Sequence, residues 1–249
     1  MATLYVIATP IGNLEDFSPR AARILGEVSA IACEDTRKTR ILMSRFAIAS
    51  PDRLITYHEH NEERAGRKIL EHLSWHKDVA LCSNAGYPGV SDPGYRIISE
   101  TIEAGHEVVV IPGADAVHSA LLSSGLPTSS YTFKGFPPRR PGPRRRFLEA
   151  EAAMPHTLVI FESPHRLGAF LAVALDVLGD RRAALCIELT KRFEKVHRGY
   201  LKDLAAAFAE EKVRGEVTVV IAGNHAKLIR TSEGDPTTRE IPPPGTDAT

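Results

Sequence analysis

Cysteine is scarce in this 249-residue chain, and its placement excludes two kinds of site. The three cysteines, Cys33, Cys82 and Cys186, lie far apart within apolar runs. An odd number at such spacing provides neither a disulfide framework nor a Cys-x-x-Cys metal site. We therefore expect three small buried thiols and no bound metal.

Long apolar runs and a net charge are absent as well. No apolar stretch approaches the roughly 18 residues that a membrane-spanning helix needs. Residues 1–8 are too short for the apolar region of a secretory signal and lack its basic region. The 31 basic residues balance 31 acidic residues, so the overall charge indicates no partner. These features predict a cytoplasmic protein that does not associate with a membrane.

Three common enzyme signatures are missing. The chain has no Gly-x-x-x-x-Gly-Lys-Ser/Thr loop, and no Gly-x-Gly-x-x-Gly follows its first apolar run. The Gly-x-Ser-x-Gly nucleophile elbow is absent too. A P-loop nucleotide hydrolase, a simple dinucleotide-binding fold and an α/β-hydrolase therefore all lack their usual motif.

Short apolar runs alternate with helical patterns and predict the fold. Candidate strands lie at 4–8, 30–33, 54–56, 79–82 and 108–111, then at 131–133, 157–161, 184–187 and 217–221. Between them, helices are expected after Ser18-Pro19 and at about 64–73, 144–153, 164–178 and 201–211. This alternation predicts an α/β protein whose first sheet is mainly parallel.

Composition also suggests how the chain is divided. The small, turn-forming residues 125–129 place a domain boundary near residue 125, which gives one domain at 1–125 and a second at 126–224. Beyond residue 224 the chain becomes polar and rich in proline. We expect the segment 225–249 to be a poorly ordered tail.

The stretch from Val79 to Leu126 holds two strand-loop-helix units in succession. The first apolar run leads into the glycine-rich loop 83–94, where Ser91 or Asp92 with Pro93 is expected to open a helix. The second run leads into Pro112-Gly113-Ala114-Asp115. Such loops let backbone approach a ligand closely, and parallel sheets bind ligands at this edge.

A basic window follows this stretch. No Asp or Glu occurs from Ala116 through Leu148. The window contains Lys134 and five arginines, Arg139, Arg140, Arg144, Arg145 and Arg146. A solvated loop is the simpler interpretation, but the length of the acid-free window favours anion binding, with phosphate backbone as the commonest target.

Two shorter polar segments follow predicted strands. Glu34-Asp35-Thr36-Arg37 could be only an acidic helix start, although it lies on the same predicted sheet edge as the central loops. His58-Glu59-His60 has the residue types of a metal site. Because alternate residues of an extended segment face opposite ways, a structural or substrate-contacting role is favoured over metal.

Seven segments in this order give the chain a family resemblance. They are Thr9-Pro10-Ile11-Gly12-Asn13-Leu14, Glu34-Asp35-Thr36-Arg37, Tyr57-His58-Glu59-His60-Asn61-Glu62, the loop 86–94, Gly125-Leu126-Pro127, Phe161-Glu162-Ser163-Pro164-His165-Arg166 and Glu188-Leu189-Thr190-Lys191. Together they resemble the ribosomal RNA small subunit methyltransferase I family of the tetrapyrrole methylase superfamily. The match extends over about residues 4–224.

The resemblance implies a fold, a reaction and partners. It implies two α/β domains, the second with a mixed sheet, with S-adenosylmethionine held in the cleft between them. It further implies methylation of the 2′-hydroxyl of a cytidine in the decoding region of 16S ribosomal RNA, naked or within the 30S subunit. A homodimer is the usual assembly in the family.

Matching positions carry over the cofactor contacts. They are Pro10, Ala85, Gly86, Tyr87, Val90, Ser91, Asp115, Ala116, Phe161, Glu162, Leu189, Thr190 and Val217. Three positions depart from the family's usual residues: Asn84 replaces Asp, Tyr87 replaces Thr, and Ala114-Asp115-Ala116 replaces Pro-Ser-Ala. Asp115 thus restores a carboxylate close to the one lost at position 84.

The expected chemistry is in-line attack of the 2′-oxygen on a methyl carbon, with removal of the hydroxyl proton. The unranked candidates that would assist the proton's departure are Glu34, Asp35, Glu162 and Lys191. Residues expected to position substrate are His58, Asn61, His165 and Arg166, and those expected to bind phosphate are Arg37, Lys38, Arg139, Arg140, Arg144, Arg145 and Arg146.

Two alternatives remain open from the residues. Arginines could equally hold the carboxylates of a porphyrinoid, so the enzyme could be a porphyrinoid C-methyltransferase. If the departures at 84, 87 and 115 abolish cofactor binding, the chain would instead be a non-catalytic RNA-binding or ribosome-assembly protein.

Overall fold

Five parallel strands form the first sheet. In the computed structural model, which describes residues 1–230, they are β1 (Thr3–Ile7), β2 (Ala30–Cys33), β3 (Arg53–Thr56), β4 (Val79–Cys82) and β5 (Glu107–Ile111). Their order is β3-β2-β4-β1-β5, and every neighbouring pair is parallel. The predicted parallel sheet is confirmed, with all five strands close to their expected places.

Helices cover both faces of this sheet, which explains its continuous apolar strands. The helices of the first half of the chain are α1 (Pro19–Glu27), α2 (Thr36–Arg45), α3 (Glu62–Ser74), α4 (Tyr95–Glu103) and α5 (Ala116–Ser124), and the first four pack on this sheet. Helices α1 and α2 pack on the face that carries Ile31 and Cys33, and α3 and α4 pack on the face that carries Ala30 and Ala32. Alternate residues of β2 therefore enter different cores.

The second sheet is mixed, as expected. Its strands are β6 (Tyr131–Phe133), β7 (Thr157–Glu162), β8 (Arg182–Ile187), β9 (Lys195–Tyr200) and β10 (Val217–Ile221). The order is β6-β7-β10-β8-β9; only β6 and β7 are parallel. Strand β9 was not predicted from the sequence, because Lys195 and Arg198 interrupt any apolar run at this sheet edge.

Helices cover both faces of the second sheet, and one of them comes from the first half of the chain. Helices α6 (Pro141–Glu149), α7 (Leu167–Leu178) and α8 (Leu201–Ala207) cover one face of that sheet. The other face is covered by α5, whose Val117, Ala120 and Leu121 contact the core of β7, β8 and β10. Gly125, in the left-handed conformation (φ 72°), ends α5. The helix that precedes the proposed boundary thus joins the two sheets.

Several helix limits differ from the sequence-based expectation. Helix α4 begins at Tyr95 rather than at Ser91 or Asp92, since Gly94 (φ 151°) has no helical conformation. Ser163 makes no side-chain cap, and a short 3₁₀ turn at Pro164–Arg166 precedes α7. Helix α6 starts three residues early and ends at Glu149, and α8 ends at Ala207.

The three thiols are free and buried, as predicted. Burial raises the pKa of each of them. Neutral thiols packed in an apolar core are poor nucleophiles. None is thus a candidate for covalent catalysis.

Residues 225–230 contact the second domain. Arg230 bonds Asp180 at 2.6 Å and Asp203 at 2.9 Å, and its guanidinium lies 4.5 Å from the Tyr200 ring centroid. The rest of the expected tail, 231–249, lies outside the described residues. Within residues 1–230, no helix combines the length and apolar character needed to cross a membrane.

Candidate active site

Backbone hydrogen bonds fasten the central loop to the loop after β1. Thr9 and Gly86 exchange two of them, with N···O distances of 2.9 and 3.0 Å. The Ser83 hydroxyl donates to the carbonyls of Ala85 and Gly86 at 3.1 and 3.0 Å. The carboxyl ends of β1 and β4 therefore form one rigid platform, as the parallel topology requires.

Unusual backbone angles give the central loop its shape. Gly86, Gly89 and Ser91 have positive φ values of 72°, 84° and 61°. A side chain at Gly94 would place a Cβ only 2.7 Å from the Gly89 nitrogen. Only glycine permits that contact, so the loop folds back on itself before α4 starts.

An interdomain cleft of about 470 Å³ opens beside this loop. It contains ten of the thirteen predicted cofactor contacts: Ala85, Gly86, Tyr87, Val90, Ser91, Asp115, Ala116, Phe161, Glu162 and Val217. Its volume lies in the usual range for small-molecule sites, about 300–1,000 Å³. Segments more than 100 residues apart in sequence thus meet around one space.

The other three predicted cofactor contacts lie just outside this cleft. Pro10 lines a smaller neighbouring hollow, Leu189 is buried, and Thr190 lines an adjoining concavity. The Asn13 backbone N–H donates to the Thr190 hydroxyl at 3.1 Å. This contact ties the loop after β1 to the loop after β8.

Five carboxylates line the cleft, and three of them, from separate elements, interact electrostatically. Glu34 follows β2, Asp92 lies in the central loop, and Glu216 precedes β10. Burial, then the charge of Glu34, raises the pKa of Asp92 to about 6; Glu216 adds to the shift and a bond to Ser83 opposes it. The pKa of Asp92 is thus close to neutral pH, where its carboxylate can act as a proton acceptor.

Glu162 is the most buried acid of the cleft, with its side chain fully enclosed. Its Oε1 accepts bonds from the Ser163 N–H at 2.6 Å and from Arg166 Nε at 2.7 Å. Its Oε2 is buried without a hydrogen-bond partner among residues 1–230. A buried oxygen of this kind fits a site that is completed by a ligand's donor.

Lys191 and Asp35 are held by neighbouring charges. The Lys191 ammonium lies 2.7 Å from Glu188 and 3.0 Å from Glu216, which raise its pKa against the opposing effect of burial. Asp35 caps α2, and its hydrogen bonds to Arg37 lower its pKa to about 2. Lys191 thus stays charged, and Asp35 is a weak base.

The predicted basic cluster divides into two groups. Arg144 is buried and donates to the carbonyls of Pro138 and Arg139, and Arg145 pairs with Glu149 and Asp176. These two arginines stabilise α6 and the loop before it. Three others, Arg139, Arg140 and Arg146, are exposed and form no ion pair within residues 1–230.

The predicted substrate-positioning residues are dispersed. His58 and Asn61 lie in the turn after β3, where the Asn61 side chain bonds the His58 N–H and the Thr56 carbonyl, each at 2.9 Å. Neither lines the cleft. His165 is exposed beside the cleft residues Ser163 and Pro164, and Lys38 lines the cleft itself. Among the described residues, no cluster of His, Cys, Asp or Glu is arranged for a metal.

Comparison with known proteins shows which family has this architecture. Residues 3–205 match the Tetrapyrrole (Corrin/Porphyrin) Methylases. The chain is 45% identical to the ribosomal RNA small subunit methyltransferase I of Halalkalibacterium halodurans, covering 91% of this chain and 78% of that protein. For the protein of the same name from Mesorhizobium japonicum, identity is 46%, with coverage of 90% and 76%.

The chain belongs to the ribosomal RNA small subunit methyltransferase I family. Its fold also resembles that of a uroporphyrin-III C-methyl transferase from Thermus thermophilus, solved in complex with S-adenyl homocysteine (TM-score 0.59). That structure is 22% identical, and the alignment covers 88% of this chain and 97% of that one. At this identity the likeness concerns the fold alone.

Of the three positions at which the resemblance suggests a departure from the family's usual residues, 87 and 115 make local structural contacts. The Tyr87 hydroxyl accepts a bond from the Gly113 N–H at 3.1 Å, joining the central loop to the loop after β5. Asp115 caps α5 by accepting from the Val117 N–H at 2.9 Å, and it also contacts His118. Asn84 remains in the cleft lining.

Sequence reasoning missed several cleft residues of this family member, including one aromatic and two acidic side chains. Asp92, Phe136 and Glu216 all line the cleft. Asp92 occurs in the glycine-rich loop, where an acid beside the predicted ligand site was a usable signal. Phe136 and Glu216 carry no such signal, because their position depends on how β6 and β10 are ordered in the second sheet.

Proposed function

We propose that the interdomain cleft binds S-adenosylmethionine. Small residues at Ala85, Gly86 and Ala116 leave room for backbone contacts with a ligand. The unpartnered Glu162 Oε2 supplies an acceptor for an ammonium or hydroxyl donor. The polar groups of the cleft fit a cationic, hydroxyl-rich molecule. Among the described residues, its walls carry several carboxylates, which accept hydrogen bonds, and only one lysine.

When bound, S-adenosylmethionine supplies an electrophilic methyl group. We propose that this chain directs it to the 2′-hydroxyl of a cytidine in the decoding region of 16S ribosomal RNA. The names of the two relatives above support an RNA substrate. Arg139, Arg140 and Arg146, which are exposed and form no ion pair within residues 1–230, support it as well, since such cations bind phosphate.

The geometry favours the Glu34–Asp92 pair as proton acceptor. Lys191 is fully protonated, Asp35 is bound by Arg37, and the Glu162 Oε1 already accepts several bonds. Asp92 and Glu34 both line the cleft, and their charges interact. The pair can take the hydroxyl proton, while Glu162, held by Arg166, serves as a binding group.

One observation carries this proposal: residues of both domains, predicted from the family's separate sequence motifs, line a single cleft. Titration calorimetry with S-adenosylmethionine tests the first step, and we expect binding with roughly 1:1 stoichiometry per chain. Methyl transfer to 30S subunits that lack this modification tests the second. The expected product is one ribose-methylated cytidine, recognised by an alkali-resistant phosphodiester bond.

Substrate controls distinguish the alternatives. Uroporphyrinogen III and 50S subunits should accept no methyl group. Transfer to the porphyrinoid with none to 30S subunits would replace the RNA proposal by the porphyrinoid one. Absence of any binding heat, with RNA present, would leave only a non-catalytic role.

We further propose that the protein acts as a homodimer in the cytoplasm. A concave surface of about 870 Å³ lies beside the cleft, between α5, β5 and β6. Apolar side chains on its walls are unusually exposed, including Val110 at 53% and Leu122 at 71%. A contiguous apolar surface of this kind favours burial against a second copy.

A further inference from the structure

A second concave surface lies on the far side of the loop that precedes β10. It measures about 330 Å³, and we call it the Phe193 groove. Its lining residues are Ile187, Glu188, Phe193, Lys195, His197, Glu211, Lys212, Val213, Arg214 and Gly215. Nothing in the proposed cofactor site uses these side chains except Glu188, which holds Lys191.

Unpaired cations dominate the charge of this groove. Lys195, Lys212 and Arg214 are exposed and form no ion pair within the part of the chain described. Arg192, next to the groove, is exposed and equally unpaired. Of the acids in the lining, Glu188 is neutralised by Lys191, which leaves Glu211 as the opposing charge. The surface therefore attracts anions.

An exposed aromatic ring lies in the same groove as these cations. Phe193 is 71% exposed, and the Arg192 guanidinium lies 5.6 Å from its ring centroid. A solvent-facing phenyl ring contributes little to the stability of the fold, whereas a nucleobase can stack on it. Cations that hold phosphate next to a free aromatic face are the usual elements of a single-strand nucleic-acid site.

The groove adjoins the cleft and is rigidly fixed to it. Gly215 lines both spaces. A Cβ at Gly215 would lie 2.2 Å from the Glu188 carboxylate, so these two loops are in close contact. Glu188 and Thr190 both have positive φ, 55° and 64°. Such conformations persist where the surroundings determine them.

We propose that the Phe193 groove binds the single-stranded RNA next to the nucleotide that enters the cleft. One base stacks on Phe193, and Lys195, Lys212 and Arg214 hold the neighbouring phosphates. This inference rests on the proposed RNA substrate. It adds a binding surface that is separate from the arginine loop at 139–146 and adjoins the cleft at Gly215.

Charge reversal tests the phosphate contacts. The double variant Lys212→Glu/Arg214→Glu should raise KM for RNA at least about 10-fold and reduce the salt slope of RNA binding by about 1.4, because two phosphate contacts are lost. Its Kd for S-adenosylmethionine should stay within about twofold of wild type. Arg20→Glu/Arg45→Glu, with the same charge change at exposed sites on α1 and α2, serves as the matched control and should bind RNA like wild type.

Aromatic substitution tests stacking. Phe193→Leu keeps the apolar character and should weaken binding of a short fluorescent-labelled RNA by about 5- to 100-fold. Phe193→Tyr keeps the ring and should retain wild-type affinity. Equal affinity of the two variants would overturn the stacking role.

The remaining outcomes separate this inference from the function on which it rests. If wild-type protein methylates 30S subunits and the groove variants match the control, the groove inference is wrong and the proposed function stands. If the variants lose binding to 30S subunits but not to naked RNA, the groove contacts a ribosomal protein, and the RNA inference is likewise wrong. A wild-type protein that neither methylates nor binds RNA would overturn both.

Discussion

Asp92 lies near the carboxylates of Glu34 and Glu216, and this environment determines the pH at which Asp92 ionises. Burial is the largest cause of its raised pKa, and the two glutamates add to it. The folded protein therefore binds the Asp92 proton more tightly than the unfolded chain does. This contribution to stability is complete below the ordinary carboxyl pKa and is lost as pH rises through about 6.

We predict that Asp92→Asn stabilises the fold at pH 7 while it slows methyl transfer. Each pKa unit corresponds to about 1.4 kcal/mol, so the free energy of unfolding should increase by about 1–3 kcal/mol at pH 7 and hardly change near pH 4. Urea denaturation across this pH range measures it. A gain independent of pH would show that ionisation is not the cause.

The same substitution, Asp92→Asn, should also reduce the rate of methyl transfer. Loss of a general base costs about 10²- to 10⁴-fold in rate. For wild type, kcat/KM should rise as pH increases through about 6 and then level off, because the ionised carboxylate is the active form. An Asp92→Asn enzyme with a normal rate would remove Asp92 from the proposed acceptor pair.

At the scale of elements, close contacts between loops give the cleft its shape. The loop after β1 meets the loop after β8, where a Cβ at Gly12 would lie 2.3 Å from the Lys191 side chain. The loop after β8 in turn meets Gly215 before β10. Three loops from two sheets are therefore held in close contact, next to the apolar cluster that contains Ile11 and Leu189.

We predict that Gly215→Ala is more damaging than Gly105→Ala. Both glycines have positive φ, 87° and 75°, so each substitution has the same cost of about 1 kcal/mol in the left-handed region. Only at Gly215 does the new methyl collide with Glu188, which should add about 1–3 kcal/mol of destabilisation. Thermal unfolding measures both, and equal shifts in Tm would contradict the proposed loop contact.

Apolar runs were sufficient to predict the buried strands but not the edge strand β9. In β2 and β4 every residue is buried, so hydrophobicity alone identifies them. In β9 no residue is fully buried, and Lys195 and Arg198 interrupt its apolar character. Its existence depends on hydrogen bonding to β8, a long-range effect that the local pattern does not contain.

Part of the candidate site could likewise be predicted from local sequence patterns, and part could not. Motifs at Ala85–Tyr87 and Phe161-Glu162 could be assigned because the first follows, and the second ends, a strand with a recognisable apolar signature. Electrostatic pairing could not be predicted, because it depends on distances between separate elements. Arg145 illustrates this: it belongs to a basic sequence window, yet Asp176 on another helix neutralises it.

At the scale of the whole molecule, α5 connects the two sheets and exposes one face. Its inner face packs on β7, β8 and β10 through Val117, Ala120 and Leu121. Its outer face carries Leu122 beside the exposed Val110 of β5. A partner on this face would contact both domains at once and hold the cleft between them in one geometry.

We predict that Leu122→Glu converts the proposed homodimer into a monomer. A charge buried in an apolar interface without a partner costs several kcal/mol, enough to lower dimer affinity by about 100-fold or more. Light scattering after size-exclusion chromatography gives the mass directly. Ile102→Glu is the matched control, since Ile102 is 60% exposed on α4, away from this concave surface, and that variant should remain dimeric. A monomeric wild type, or a Leu122→Glu protein that still dimerises, would place any dimer interface elsewhere.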